Sequence, residues 1–346
     1  MKKKIIVTGG TGYIGSHTAV ELIERGFEVV LLDNLSNSEA FIARRIGDIT
    51  GITPTLDIID MRDDAKLDDF FGRHGDSAAV VHFAALKSVG ESVKKPLEYY
   101  RNNIVSLLNL LDCMRKQGIP SMVFSSSCTV YGQPDILPVT EDAPLKPALS
   151  AYGSTKRAGE DIIREVVNAA NGIKAISLRY FNPIGAHPSA LIGELPRGVP
   201  ENLIPFITQT AHGLRNELRV FGDDYNTPDG SCIRDYLHVT DLARAHVDAV
   251  KRLVENKNNK NFEVFNLGTG QGVSVFEAIK AFERVTGLKL KYRVTGRRPG
   301  DIEKIWADPS LANRELGWKS VSSLDEAMKS AWEWEKNIRS ETRENE

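Results

Sequence analysis

The chain has 346 residues, 41% of them hydrophobic, and a formal net charge of −2. That content suits one large globular domain or two unequal ones, and the near-balance of charge, with no Lys/Arg block beyond MKKK, argues against a nucleic-acid partner or a polybasic membrane anchor. No run of about 18 apolar residues exists to span a membrane; the three scattered cysteines fit a reducing cytoplasm rather than a disulfide framework, and none of the seven histidines stands in an HxxxH or HxH pair, so no metal site is expected.

In chain order, MKKKIIV breaks at Thr8-Gly9-Gly10 after three apolar residues, too short for a signal peptide, and reads as a first strand. Strands are predicted at 4–8 (KIIVT), 28–32 (EVVLL), 78–82 (AAVVH), 121–125 (SMVFS) and 174–178 (KAISL). Helices fall between them: one after Gly12 that closes at Gly26, one over 63–73, a long one from Pro96 to Gln117 and one over 152–170. Alternating strand and helix implies an α/β fold with a doubly wound parallel sheet. From Phe181 to Arg234 the chain is rich in Gly, Pro and Asn, with one helix near 203–213, and reads as loops that line a site. A strand and helix return over 235–253, a strand at 263–268, and helices near 274–286 and 324–336. The division expected is a Rossmann domain over 1–182, a smaller substrate domain over 183–338 whose segment near 235–268 returns to the sheet, and a polar, frayed tail over 339–346.

VTGGTGYIG follows the first strand and opens the first helix. Gly10-x-Gly12-x-x-Gly15 and Gly9-x-x-Gly12-x-x-Gly15 both match dinucleotide fingerprints, in which glycine permits a tight turn and lets a pyrophosphate approach a helix N-terminus. Asp33 ends the second strand at the expected distance, where it reads either as a strand-ending turn residue or as an acceptor for an adenosine ribose. A carboxylate there repels the extra phosphate of NADP, and no Arg neighbours Asn34, so NAD is the expected cofactor.

Three features meet at the carboxyl ends of the strands, where open α/β sheets bind ligands: Ser125-Ser126-Ser127, Tyr152 with Lys156, and Asn182-Pro183. Residues four apart share a helix face, so Tyr152 and Lys156 can reach one cleft. A phenol near pKa 10 is a poor base. Lys156 and the positive nicotinamide ring, each roughly 5 to 6 Å from its oxygen, would each contribute about 3 kcal/mol at an effective dielectric of about 20, near two pKa units before burial opposes them, and so bring it toward neutrality. Tyr152 then reads as a general base tuned by Lys156, with the serines as ligands for a substrate hydroxyl.

GGTGYIG, SSS-x-x-VYG, YGSTK, RYFNPIGAHPS, RDYLHV and RRPGD-x-x-x-IWAD resemble the extended short-chain dehydrogenase/reductase family, in its nucleotide-sugar 4-epimerase branch, from Ile5 to about Trp334. The resemblance implies interconversion of UDP-galactose and UDP-glucose by C4 oxidation, rotation of the bound 4-keto sugar and re-reduction. It implies Gly9, Gly12, Tyr13, Ile14 and Gly15 at the NAD pyrophosphate, Asp33, Asn34, Asn37 and Ser38 around the ribose, and Asp60 and Met61 at adenine. Phe83, Ala84, Lys87, Asn102 and Tyr180 would line the path to the nicotinamide, and Ser127, Tyr152 and Lys156 would carry the chemistry. Lys87, Asn182, Asn202, Leu203, Phe221, Arg234, Arg298 and Asp301 would hold the UDP-sugar, with Ile305 at the sugar pocket. A homodimer packed through 96–117 and 152–170 is implied as well.

At the position of Ile305, a bulky Tyr in the family excludes N-acetylated sugars and a small residue admits them. Ile is intermediate, so clear activity on UDP-galactose with weak activity on UDP-N-acetylgalactosamine is expected. A 4,6-dehydratase carries an Asp-Glu pair where this chain has Cys128-Thr129, and lacks support here. A UDP-glucuronate epimerase or decarboxylase shares the Tyr and Lys. A non-catalytic dinucleotide sensor has no need of Ser127, Tyr152 and Lys156 together. Cys128 reads as a small buried residue rather than a nucleophile, since no His stands beside it in a triad pattern.

Overall fold

The computed structural model describes residues 2–169, 172–298 and 301–344. Seven parallel strands form the central sheet: β1 (Lys4–Thr8), β2 (Glu28–Asp33), β3 (Thr55–Ile58), β4 (Ala79–His82), β5 (Ser121–Ser127), β6 (Lys174–Tyr180) and β7 (Phe262–Leu267). Their order is β7-β6-β5-β4-β1-β2-β3, with every neighbouring pair parallel. Alternate residues face opposite sides, so Ile5 and Val7 enter one core layer and Ile6 the other. Helices cover both faces, and for that reason the strands read as continuous apolar runs.

One face is closed by α1 (Tyr13–Glu24), α2 (Phe41–Thr50) and α7 (Val239–Val254). The other is closed by α3 (Asp64–Arg73), the helical run α4 (Pro96–Gln117) and α5 (Ala151–Asn168). A separate core gathers Ile184, Ile204, Ile207, Val220, Phe282 and Met328, bringing together α6 (Leu203–Ala211), α8 (Val275–Thr286) and α9 (Leu324–Glu344).

β5 and β6 run two residues beyond their expected ends, to Ser127 and Tyr180, because the serines and Tyr180 continue the ladder. β3 and α2 were not expected; TLDI has only two aliphatic residues, and FIARRIGDIT is mixed in polarity. In the stretch read as loops, short strands pair Asn182–Ile184 with Tyr236–His238 and Leu218–Phe221 with Tyr292–Thr295. The last helix continues to Glu344 where a frayed tail was expected, and the Arg339 pair with Glu335 four residues back supports that extension. Ala170, at the expected end of α5, and Pro299 and Gly300 of the RRPGD run lie outside the described residues.

The expected long helix over 96–117 contains a π turn at Arg101–Val105. Such turns reset which side chains face inward. Here Asn103 is turned onto the loop after β4, accepting from Leu86 N at 2.8 Å and donating to Leu86 O at 3.1 Å and Thr155 Oγ1 at 3.0 Å.

Candidate active site

The sheet order reverses between β1 and β4, and the cleft that this opens at the carboxyl edge is where the glycine turn lies. Gly9 has φ +66°, and a Cβ there would stand 2.8 Å from Ala84 N; on Gly15 it would stand 2.2 Å from Gly9 O. No side chain caps α1 at Gly12, so its first N–H groups, those of Tyr13, Ile14 and Gly15, face the cleft as an anion site. Asp33 is buried and accepts from Thr11 N at 3.1 Å, Leu35 N at 2.9 Å and Ser38 Oγ at 3.0 Å. Its carboxylate therefore ties the glycine turn to the loop after β2, as the strand-ending turn reading expects. These groups fit a dinucleotide: a Cβ-free cradle, uncapped N–H groups and an acidic cup beside them.

Around that cup, Asn34 donates to Asp60 at 3.3 Å, and Arg62 grips Asp60 at 2.9 and 2.6 Å, holding its carboxyl down at about 2. Asn37 is exposed beside it. The Met61 side chain is buried in the sheet core, and its carbonyl accepts from Asn109 at 3.0 Å. Phe83 packs against His246 with ring centroids 4.7 Å apart, and Ala84 N reaches Thr8 Oγ1 at 3.4 Å. Asn102 donates to Asn103 at 3.0 Å.

Tyr152 and Lys156 stand on the first turns of α5, capped by Ser150, whose hydroxyl accepts from Gly153 N at 3.1 Å. Gly159 lets this helix lie directly on β5, since a Cβ would come within 2.8 Å of the Phe124 ring. Both functional side chains are thus pressed against the strand end that carries Ser127. Ser127, whose hydroxyl accepts from Thr129 N at 3.2 Å, is close enough to the Tyr152 phenol to favour its ionised form, and Lys156 Nζ donates to Ser125 O at 2.5 Å while lying 5.8 Å from the Tyr152 ring centroid. Of the three serines, only Ser127 faces the phenol: Ser125 Oγ pairs with the Tyr180 hydroxyl, and Ser126 donates to Glu160 at 2.6 Å.

Burial opposes the tuning expected at Tyr152. Reinforced by Tyr180, it holds the phenol well above its usual value despite the opposing pull of Ser127, and it lowers Lys156 to about 7 against the pull of Glu160. The chain's own groups therefore leave Tyr152 protonated, because removing a phenolate from water costs more than one partly neutralised ammonium returns. Behind the site, Glu160 also accepts from Ser177 at 2.9 Å and from Arg179 at 2.6 Å in a pair sealed from solvent.

Lys87 does not hang free; it pairs with Glu194 at 3.0 Å. Asn202 donates to the same carboxylate at 2.7 Å, and Leu203 begins α6 beside it. Arg298 pairs with Asp301 at 2.7 Å and lies 5.4 Å over the Phe221 ring. Arg234 donates to Ile233 O at 2.9 Å, and Asn182 N to Asp235 O at 2.9 Å. Ile305 is 1% exposed and packs with Cys128, Val130 and Phe181, one residue beyond Ser127. The Cys128 thiol is pushed up to about 12 by burial, as a packing residue would be. Missed from the sequence were Glu194, Arg62 and the Glu160–Arg179 pair; Lys87 and Glu194 are 107 residues apart, and no local spacing signals such a pairing.

The model of the NAD dependent epimerase/dehydratase family matches residues 5–268. UDP-glucose 4-epimerase of Bacillus subtilis is 49% identical over 96% of both chains, and that of Mus musculus 46% identical over 96% of this chain and 97% of its own. A solved UDP-glucose 4-epimerase from Stenotrophomonas maltophila with bound NAD and formylated UDP-arabinopyranose is 47% identical, covering 98% of this chain and 99% of that one with a TM-score of 0.94. The Bifidobacterium longum enzyme in complex with NAD+ and UDP is 43% identical over 97% and 99%, with a TM-score of 0.93. Identity at this level along nearly the whole length, on the same fold, places the chain in the NAD dependent epimerase/dehydratase family, among its UDP-glucose 4-epimerases.

Proposed function

We propose that this enzyme interconverts UDP-galactose and UDP-glucose at C4. The observation that carries the reading is the buried Ser127-Tyr152-Lys156 cluster at the sheet edge beside an uncapped glycine turn. NAD, held by Gly9 to Gly15, Asp33 and the loop after β4, supplies a reversible hydride acceptor and the positive charge that the phenol lacks. Tyr152 takes the O4 proton as the C4–H bond is broken and returns it when the opposite face of the 4-keto sugar is reduced. Ser127 orients O4, and Lys156 holds charge beside the phenol. Asp33 selects against a 2′-phosphate by repulsion. Arg234 and Arg298, with Asn182 and Asn202, clasp the UDP portion, since guanidinium groups bind a diphosphate through paired charge-assisted bonds.

Rotation of the keto sugar requires the UDP grip to be tight and the sugar contacts few. Cys128, next in the chain to Ser127, belongs to an apolar cluster with Phe181 and Ile305, and apolar packing at that point suits that demand. Ile305 also bears on substrate range: its packing leaves less room than a small residue would, which favours UDP-galactose over N-acetylated sugars. Elimination as in a dehydratase is disfavoured, because Cys128 is a poor acid and base at its raised pKa.

The enzyme acts as a homodimer in this reading. Leu97, Tyr100, Val105 and Leu108 form an exposed apolar stripe along α4, with Val93 beside it, where a second copy packs. No helix among the described residues is long and apolar enough to cross a membrane.

The test is UDP-glucose carrying deuterium at C4. The product UDP-galactose should retain the label at C4, with no keto-deoxy sugar formed; loss of label to solvent, or a dehydrated product, would overturn the reading.

A further inference from the structure

Residues 194–201 connect the two halves of the molecule in a way that the chemistry at Tyr152 does not require. The segment starts from a fixed base: Trp334 Nε1 donates to Glu194 O at 2.9 Å, Arg45 to Leu191 O at 2.8 Å, and Gly193 lies so close to the indole that a Cβ would stand 2.5 Å from it. It ends at Asn202, the N-cap of α6. Between these anchors it makes three ties to the nucleotide half. Arg197 donates to Ser36 O at 3.1 Å, Ser38 O at 2.8 Å and Glu39 at 2.8 Å. Glu194 holds Lys87 at 3.0 Å, and Glu201 accepts from Ser88 at 2.5 Å. Gly198, at φ +77°, lets the chain turn between them.

The strand order gives these ties a meaning. Ser36 to Glu39 follow β2, and Lys87 and Ser88 follow β4; β1 and its glycine turn lie between those strands. A segment fastened to both loops crosses the mouth of the dinucleotide cleft. We propose that residues 194–201 are a strap that closes this cleft and sets the rate at which NAD leaves, with Arg197 and Glu201 as its releasable ties; this rests on the NAD reading above. Arg197 and Glu39 are 48% and 43% exposed, and exposed pairs are individually weak. The Arg197 and Glu201 ties, both on exposed side chains, can therefore break without unfolding their surroundings, and the two must break together for the cofactor to pass. Glu194 has a different part: one carboxylate oxygen serves both Lys87 and Asn202, so it positions the inner edge of the strap against the sugar-nucleotide side.

The experiment compares NAD loss from the wild type and from an Arg197→Ala/Glu201→Ala variant, each purified with its cofactor and held with charcoal to trap what is released. The variant should lose NAD about tenfold faster, the equivalent of about 1.4 kcal/mol, with unchanged Tm of the cofactor-free chain and turnover within about twofold at saturating added NAD. Glu39→Gln, which weakens the Arg197 tie from its other end, should also speed the loss. Equal loss from all three proteins would overturn the strap alone. A wild type that neither carries NAD nor takes it up from solution would overturn the strap and the cofactor reading together.

Discussion

The two sides of the cleft are built differently. On the β1 and β2 side, the polar groups are sunk into the fold: Asp33 is 7% exposed and accepts three hydrogen bonds from the turns around it. On the C-terminal side, two of the proposed UDP ligands are more exposed and already matched with acids, Arg298 at 51% side-chain exposure with Asp301 and Asn202 with Glu194. A preorganised cradle suits a cofactor that stays; partners that must exchange suit a substrate that enters and leaves on each turnover. The Ser127-Tyr152-Lys156 cluster stands between the two, buried like the first yet serving the second.

Substitutions at each position should separate these roles. The largest effect is expected at Tyr152→Phe, which keeps the packing and removes the proton carrier: kcat should fall by about 10³-fold or more while NAD content is unchanged, by steady-state assay and cofactor analysis. A smaller loss, of only a few-fold, would show that another group moves the proton.

Lys156→Met should also abolish most turnover, and its stability signature is distinct. Folded Lys156 titrates at about 7 against 10.5 for the ordinary side chain, so between those values the unfolded chain binds the extra proton and wild-type stability rises with pH. At and below about pH 7 the full penalty of burying the ammonium is present. The Met variant should therefore be more stable than wild type near pH 7, with the gain shrinking toward pH 10, as read by Tm across that range.

Arg298→Gln should raise KM for UDP-galactose by roughly 10 to 100-fold, the worth of about 1.5 to 3 kcal/mol for a bond to a charged group, and leave kcat nearly unchanged. An equal fall in kcat would move Arg298 from the exchanging side to the chemical one. The mildest effect is expected at Ile305: Ile305→Gly should raise kcat/KM on UDP-N-acetylgalactosamine by several-fold, the worth of about 1 kcal/mol, and Ile305→Tyr should lower it, with UDP-galactose little affected.

The nucleotide side was more legible in the sequence than the sugar side, for a physical reason. Gly9 to Gly15, Asp33, Tyr152 and Lys156 carry local spacing signals, because a turn, a strand end and a helix face each fix their residues within one element. β3 escaped notice because its four residues lie at the sheet edge with an alternating, weakly apolar pattern. Glu194, Arg197 and Glu201 carry no such signal, as their partners in the nucleotide half stand more than 100 residues away. How strongly burial opposes the ionisation of Tyr152 is not legible in the sequence either, because that burial comes from the whole packed site. The π turn in α4 is likewise invisible in a pattern that reads as one unbroken amphipathic helix.

The most direct measurement is to purify the enzyme, add UDP-galactose with no added cofactor, and follow the sugar anomeric protons by NMR. Appearance of UDP-glucose up to equilibrium, with total sugar nucleotide conserved, is the predicted result. No UDP-glucose, even after NAD is supplied, would contradict C4 epimerisation of this substrate.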